Sequence, residues 1–165
     1  MNLINGKSKP TMKSTMQIKT TNMDGSVELS SASGILRRID GTKEDGYTYQ
    51  FSYVEDLSNE GKKTKTCMVF SKKQLRITRS GEVNSDFIYE AGLIHNTNYE
   101  TLYGMIPVSI QTEKYNCVIE RIENDASEVI IRDFTDNIKG NIEISYKLNM
   151  GGGEPMKVKL EMEIS

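Results

Sequence analysis

The sequence contains no tryptophan, one histidine, two cysteines and three prolines in 165 residues. Two cysteines are too few for the disulfide framework that holds small secreted domains together. We interpret Cys67 and Cys117 as reduced thiols of a cytoplasmic protein. The histidine, His95, has no cysteine near it in the sequence, whereas a zinc site needs several such ligands. We therefore predict neither a metal centre nor a cofactor, and we interpret His95 as a surface or turn residue.

Long apolar runs are also missing, and none approaches the roughly 18 residues that span a membrane. The first ten residues lack the apolar region of a secretion signal. The net charge of −2 counts against a general nucleic-acid binder, because such proteins are usually basic. With 36% hydrophobic and 27% charged residues, the composition fits one soluble domain with a buried core. We expect residues 1–11 to be a flexible lead-in and residues 12–165 to form a single domain.

What the sequence has in abundance is alternation of apolar and polar residues, the pattern of strands with one buried face. The clearest case is the last segment, where we expect Lys157 and Lys159 to point outward and five residues to point inward: Met156, Val158, Leu160, Met162 and Ile164. Similar segments with short turns between them predict an all-β antiparallel meander. Closure into a barrel of about 8–10 strands would hide the sheet edges, and a two-sheet sandwich is the alternative.

Two segments break the simple alternation. Apolar residues of one parity recur in the segment 26–40: Val27, Leu29, Ile35 and Ile39. Small residues between them, with Gly34, indicate either a sharply bent strand or space for a ligand inside the barrel. Farther on, the apolar residues change from even-numbered to odd-numbered positions between Ile110 and Tyr115. A β-bulge near residues 112–114 would turn both sets inward.

The stretch 79–104 concentrates turn signals, tyrosines and the histidine. It contains the patterns Arg79-Ser80-Gly81-Glu82 and Tyr99-x-Thr101-x-Tyr103-Gly104. Supporting patterns are Tyr53 with Glu55 and Ile144-x-Tyr146-x-Leu148. On these residues the chain, from about Met12 to Ile164, resembles the DUF1934, or YwiB-like, family of small bacterial proteins.

That resemblance implies a calycin-like, lipocalin-type β-barrel in the cytoplasm. It implies no activity, because the function of the family is unknown. Between Cys117 and Gly140 the chain departs from the family pattern and is longer.

Two arginines are predicted to lie on the same strand face as apolar residues. Arg37 shares its face with Ile35 and Ile39, and Arg79 shares its face with Leu75 and Ile77. A guanidinium that points inward needs a partner. One interpretation is a structural arginine at the barrel mouth, bound to carbonyl groups or to a carboxylate. The other is an anchor for an anionic ligand. The candidate ligand-binding residues around the mouth are Arg37, Arg79, Glu82, Tyr89, Glu90, Tyr99, Thr101 and Tyr103.

The leading hypothesis is a non-catalytic barrel that binds a small, partly apolar or anionic ligand in the barrel or at its mouth. A second hypothesis is a protein–protein interaction module that uses an outer face or a free sheet edge. A third is an enzyme that uses carboxylates such as Glu82 and Glu90. No nucleophile motif supports a Ser-His-Asp site, so we predict no catalytic residue. We expect no nucleic-acid or membrane partner, and no pattern indicates an oligomeric state.

Overall fold

The computed structural model describes residues 11–42, 44–56, 61–121 and 138–165. Most of the expected lead-in, residues 1–10, and most of the stretch that departs from the family pattern lie outside these ranges. The described residues form ten strands: β1 (Thr11–Asn22), β2 (Val27–Thr42), β3 (Gly46–Glu55), β4 (Thr64–Phe70), β5 (Leu75–Ser80), β6 (Ser85–Tyr89), β7 (Ile94–Thr101), β8 (Gly104–Arg121), β9 (Ile138–Met150) and β10 (Met156–Ile164). Within the described residues, no helix has the length and apolarity that crossing a membrane requires.

All strand pairs are antiparallel, and the order in the sheet is β6-β5-β4-β3-β2-β1-β10-β9-β8-β7. The first and last strands are therefore neighbours, while β6 and β7 from the middle of the chain form the two edges. These edges meet at a seam, where Asn84 and Glu100 exchange two backbone hydrogen bonds of 2.9 Å. His95 lies 2.8 Å through Nε2 from the carbonyl oxygen of Asp86 across the same seam. The sheet is a nearly closed barrel, as the sequence predicts.

The last strand faces as expected. Val158, Leu160, Met162 and Ile164 are buried in the barrel core, and Lys157 and Lys159 are exposed. Burying an aliphatic side chain of this size stabilises a fold by about 1.5–3 kcal/mol. Met156 lies on the same face but is exposed, because it begins the strand at the end of the barrel.

The expected bulge in β8 is present. The pairing of β8 with β9 shifts register between Thr112 and Lys114. Ile110 before the shift and Cys117 after it are both buried, although their positions have opposite parity. The extra residue, Glu113, therefore keeps apolar side chains of an 18-residue strand on the inner face throughout.

The predicted facing of β2 is wrong. Val27, Leu29 and Ile35 are exposed on the outer face, and the buried apolar residue is Leu36, which pairs with Phe51. The register of its neighbours fixes which residues of a strand face inward. Met16 of β1 pairs with Ala32 and Phe51 of β3 pairs with Leu36, so even-numbered residues of β2 face inward here. Arg37 shares the outer parity of Ile35 and therefore does not point into the barrel.

Gly34 lies where β2 gains a second neighbour. Residues Val27–Arg37 pair with β1, but pairing with β3 begins only at Ile35. At Gly34 the backbone lies so close to the carbonyl oxygen of Ser52 that a Cβ atom would not fit. Glycine is therefore required where β2 changes neighbours.

Candidate ligand-binding site at the barrel mouth

One row of inward-facing side chains near the mouth of the barrel is polar. Tyr53 pairs with Thr66, Thr66 with Arg79, and Arg79 with Ser85, across β3 to β6. Tyr99 of β7 continues the row, because its neighbour Glu100 bridges to Asn84 beside Ser85. We call these five residues the polar row: Tyr53, Thr66, Arg79, Ser85 and Tyr99. The polar row thus includes two of the candidate residues, Arg79 and Tyr99, on either side of Ser85.

The row directly beneath the polar row is apolar. Phe51, Met68, Ile77 and Phe87 follow one another in register across the same four strands. The ring of Phe87 meets that of Tyr99 edge-on, with centroids 6.0 Å apart. The polar row therefore lies next to the packed core, between it and the layer that contains Thr64.

Arg79 is partly buried, and its positive charge affects the pKa values of three tyrosines. Burial raises the pKa of Tyr53, Glu55 raises it further, and Arg79 opposes the rise. Burial also raises the pKa values of Tyr89 and Tyr146, and Arg79 again lowers both. The two rings meet edge-on with centroids 5.0 Å apart. The positive potential of Arg79 therefore extends from the polar row into the barrel.

Two carboxylates flank the polar row without pairing with Arg79. Glu55 accepts a hydrogen bond of 3.2 Å from the hydroxyl of Thr66. Glu82 follows β5 in the turn, where its backbone N–H donates to Thr64 over 3.2 Å. Among the described residues, no carboxylate oxygen lies within the 4.0 Å of an ion pair with Arg79. The structural role that the sequence suggests for Arg79, holding a nearby carboxylate, is therefore not seen in this part of the chain.

Two polar atoms at this site are buried without a hydrogen-bond partner: Oε2 of Glu82 and Oγ of Ser85. Leaving a buried polar group unsatisfied costs about 1–3 kcal/mol, and more when the group is charged. Such atoms need a hydrogen-bond partner, which a water molecule or a bound molecule could supply.

Glu82 and Glu90 do not form the carboxylate pair considered from the sequence. They flank β6 at its opposite ends. Glu90 accepts a hydrogen bond of 2.9 Å from the amide of Gln74 and lies 4.0 Å from the ammonium of Lys73. In the described ranges, no group of three or more histidine, cysteine, aspartate or glutamate residues is arranged to hold a metal ion.

Three other candidates lie away from the polar row or are engaged elsewhere. Tyr103 is 98% exposed in the turn between β7 and β8. The hydroxyl of Thr101 stabilises that turn by donating to Gly104 over 3.0 Å and accepting from the backbone N–H of Tyr103. Arg37 lies outside the barrel, where its charge partly offsets the effect of burial on the pKa of Cys67. These residues do not converge with Arg79.

Four residues of the site are not among the sequence candidates: Tyr53, Thr66, Ser85 and Tyr146. Tyr53 and Tyr146 could have been identified from the sequence, because both belong to the patterns on which the family resemblance is based. Thr66 and Ser85 have no such signal. They enter the site only because β4 and β6 flank the strand of Arg79.

Comparison with curated proteins finds no match for this sequence. Among solved structures, the crystal structure of the ywiB protein from Bacillus subtilis is similar, with a TM-score of 0.62 over 99% of this chain and 98% of that chain. The two sequences are 18% identical, so this likeness establishes the fold alone. The family model described as a domain of unknown function, DUF1934, matches residues 18–124, which is more than half of the chain. The chain therefore belongs to the DUF1934 family.

Proposed function

We propose that the barrel binds a small, partly apolar anion at the polar row, with Arg79 as its anchor. The observation that carries this proposal is the inward-facing guanidinium, which has no carboxylate within ion-pair distance among the described residues. A charge that is partly removed from water needs a compensating partner. A carboxylate or phosphate group suits a guanidinium because two parallel hydrogen bonds can form.

The unsatisfied atoms narrow the chemistry of the ligand. Oε2 of Glu82 can only accept a hydrogen bond when the carboxyl group is ionised, so the ligand should carry a donor such as a hydroxyl or an ammonium group. The hydroxyl of Ser85 can donate to the anionic group beside Arg79. The rings of Tyr53 and Tyr99 at the two ends of the polar row offer apolar surface. The proposed ligand is therefore a small hydroxy- or amino-substituted acid.

The test is isothermal titration calorimetry with two matched pairs of probes. 3-Hydroxybutyrate is compared with butyrate, and β-alanine with propionate, at low and at high ionic strength. Arg79→Met should weaken binding by about 10- to 100-fold, since hydrogen bonds to charged groups contribute about 1.5–3 kcal/mol. The control is Arg76→Met, which removes the same charge from the outer face of the same strand, where Arg76 pairs with Asp86.

Glu82→Met, which removes the acceptor, should abolish the preference for the probe that carries a donor, and added salt should weaken binding to the parent protein. Equal effects of Arg79→Met and Arg76→Met would contradict the proposal. So would the absence of binding for both pairs of probes.

We also propose that the protein acts in the bacterial cytoplasm. Support comes from its two free cysteines, Cys67 and Cys117, which are typical of a reducing compartment. Mass spectrometry of protein taken directly from cells should give the mass of the fully reduced chain. A mass lower by two hydrogens would contradict this location.

A further inference from the structure

Half of β2 has a neighbour on one side only. Residues Val27–Ser33 pair with β1, whereas the pairing of β2 with β3 starts at Ile35. In the described part of the chain, no strand pairs with the other side of Val27–Ser33. The end of β3, from Tyr53 to Glu55, pairs with β4 and is likewise unpaired toward β2. We call the region between these two segments the fork.

The hydrogen bonds of β1 identify which backbone groups of β2 point into the fork. Thr15 exchanges two backbone hydrogen bonds with Ser165, so odd-numbered residues of β1 bond toward β10. Even-numbered residues of β1 therefore bond toward β2, as the bond from Asn22 to Ser26 also indicates. Since even positions of β1 pair with even positions of β2, the odd positions of β2 direct N–H and C=O groups into the fork. These positions are Val27, Leu29, Ser31 and Ser33.

This edge lacks the features that keep exposed strands from pairing. Free edges are usually protected by lysine, proline, bulges or very short length. Val27–Ser33 contains neither lysine nor proline and carries one charge, at Glu28. Val27 is 50% exposed and Leu29 is 77% exposed on the outer face. Among the described residues, this edge therefore has unpaired backbone groups beside exposed apolar side chains.

The closed end of the fork contains a cleft of about 660 Å³. Its lining includes Ser33 and Ile35 of β2, Val54 of β3, and the ammonium-bearing residues Lys13 and Lys65. No aspartate or glutamate side chain is among the described residues that line it. The cleft thus combines two ammonium groups with apolar surface.

We propose that an extended acidic peptide segment of another protein adds to β2 as a strand along Val27–Ser33. Backbone hydrogen bonds to the odd positions would hold it, as in other cases of strand addition to a sheet edge. Apolar side chains of the peptide lie beside Val27 and Leu29. A carboxylate enters the cleft between Lys13 and Lys65, where charge complementarity selects an acidic partner. The fork and the polar row share Tyr53, but this proposal depends on backbone groups of β2 and on two lysines, whereas the other depends on Arg79.

The test uses fluorescein-labelled, amidated peptides that alternate valine and threonine over eight residues. One version has glutamate at its amino end and one at its carboxyl end, which covers both strand directions. Fluorescence anisotropy should give saturable binding for one of them. The same peptide with every amide nitrogen methylated should bind at least about tenfold more weakly, because it has lost its backbone donors.

Amide exchange followed by NMR locates the peptide. On binding, exchange should slow at the odd positions Val27, Leu29, Ser31 and Ser33, and even positions should change little because they already bond to β1. Ser31→Pro removes one donor that points into the fork and leaves the ladder with β1 intact. It should weaken binding at least about tenfold, while its control Ser31→Ala keeps the parent affinity. If Ser31→Pro fails to fold, Leu29→Lys and the methylated peptide on the parent protein decide the question.

Three results would overturn the proposal. One is no binding of either orientation at about 1 mM peptide. Another is equal affinity for the methylated and unmethylated peptides. The third is slow, concentration-dependent exchange at the odd positions without any peptide, since that pattern means that a second copy of the chain occupies the edge.

Discussion

Gly34 in β2 lies directly against the carbonyl oxygen of Ser52 in β3. The contact occurs where β2 leaves β1 as its sole neighbour and begins to pair with β3. The absence of a side chain at Gly34 therefore permits the close approach of β3 at the closed end of the fork.

Gly34→Ala should destabilise the protein by about 1–3 kcal/mol, because the new methyl group must displace backbone. Urea denaturation gives the free energy of unfolding. Gly153→Ala is the matched control, since a Cβ there would meet its nearest atom at 3.6 Å without strain. Equal stability of the two variants would contradict the close contact between Gly34 and β3.

Leu160→Ala should lower the free energy of unfolding by about 2–5 kcal/mol, because the side chain is packed inside the barrel. Val118→Ala, half exposed on the outer face of β8, should cost less than about 1 kcal/mol. Denaturant titration of both variants tests the facing of these strands. Similar losses at the two sites would contradict the assignment of inner and outer faces.

Cys117 should react much more slowly than Cys67 with iodoacetamide in the native protein. Burial raises the pKa of Cys117 to about 11, so roughly one thiol in a thousand is ionised at pH 8. The pKa of Cys67 is also raised by burial, but that residue is only half-buried. Mass spectrometry of timed samples measures the two rates, with full reaction of both thiols after denaturation as the control. Faster labelling of Cys117 would contradict its place in the core.

Because burial raises the pKa of Cys117, we also expect the stability of the protein to depend on pH. The folded protein raises the pKa of Cys117 from 9.0, so its thiol stays protonated in the folded state after it ionises in the unfolded state. The unfolded state then binds fewer protons, and stability falls as pH rises from about 9 through 11. The stability advantage of the parent over Cys117→Ala should shrink by about 1–3 kcal/mol across that window. A constant advantage would show that the thiol is not shielded from water.

Sequence patterns predicted which side chains face inward where the alternation of apolar and polar residues lies within one strand. The strict alternation of β10 and the parity switch around Glu113 gave the correct inner faces, because both features are contained within one strand. The facing of β2 failed because its outer face carries Val27, Leu29 and Ile35, and only its neighbours reveal that Leu36 is the inward residue.

The candidate site was predicted only in part for the same reason. Arg79 was predicted from its alternation with Leu75 and Ile77, and Tyr99 from the family patterns. Ser85 lies between them because it pairs with Arg79 and because β6 meets β7 at the seam. The sequence analysis assigned no strand between Gly81 and Gly104. Adjacent apolar residues such as Phe87 and Ile88 hide the alternation there. Contacts across a barrel are set by closure of the whole sheet, which no single segment encodes.

The central claim is that Arg79 serves a ligand and does not hold a structural carboxylate. Its most direct test is the free energy of unfolding of Arg79→Met against the parent, measured by urea denaturation without added anions other than chloride. We predict that Arg79→Met is as stable as the parent or more stable, because it removes a partly buried charge that has no carboxylate partner. A loss of about 3–5 kcal/mol would contradict the account, since that is the cost of abandoning a buried carboxylate partner.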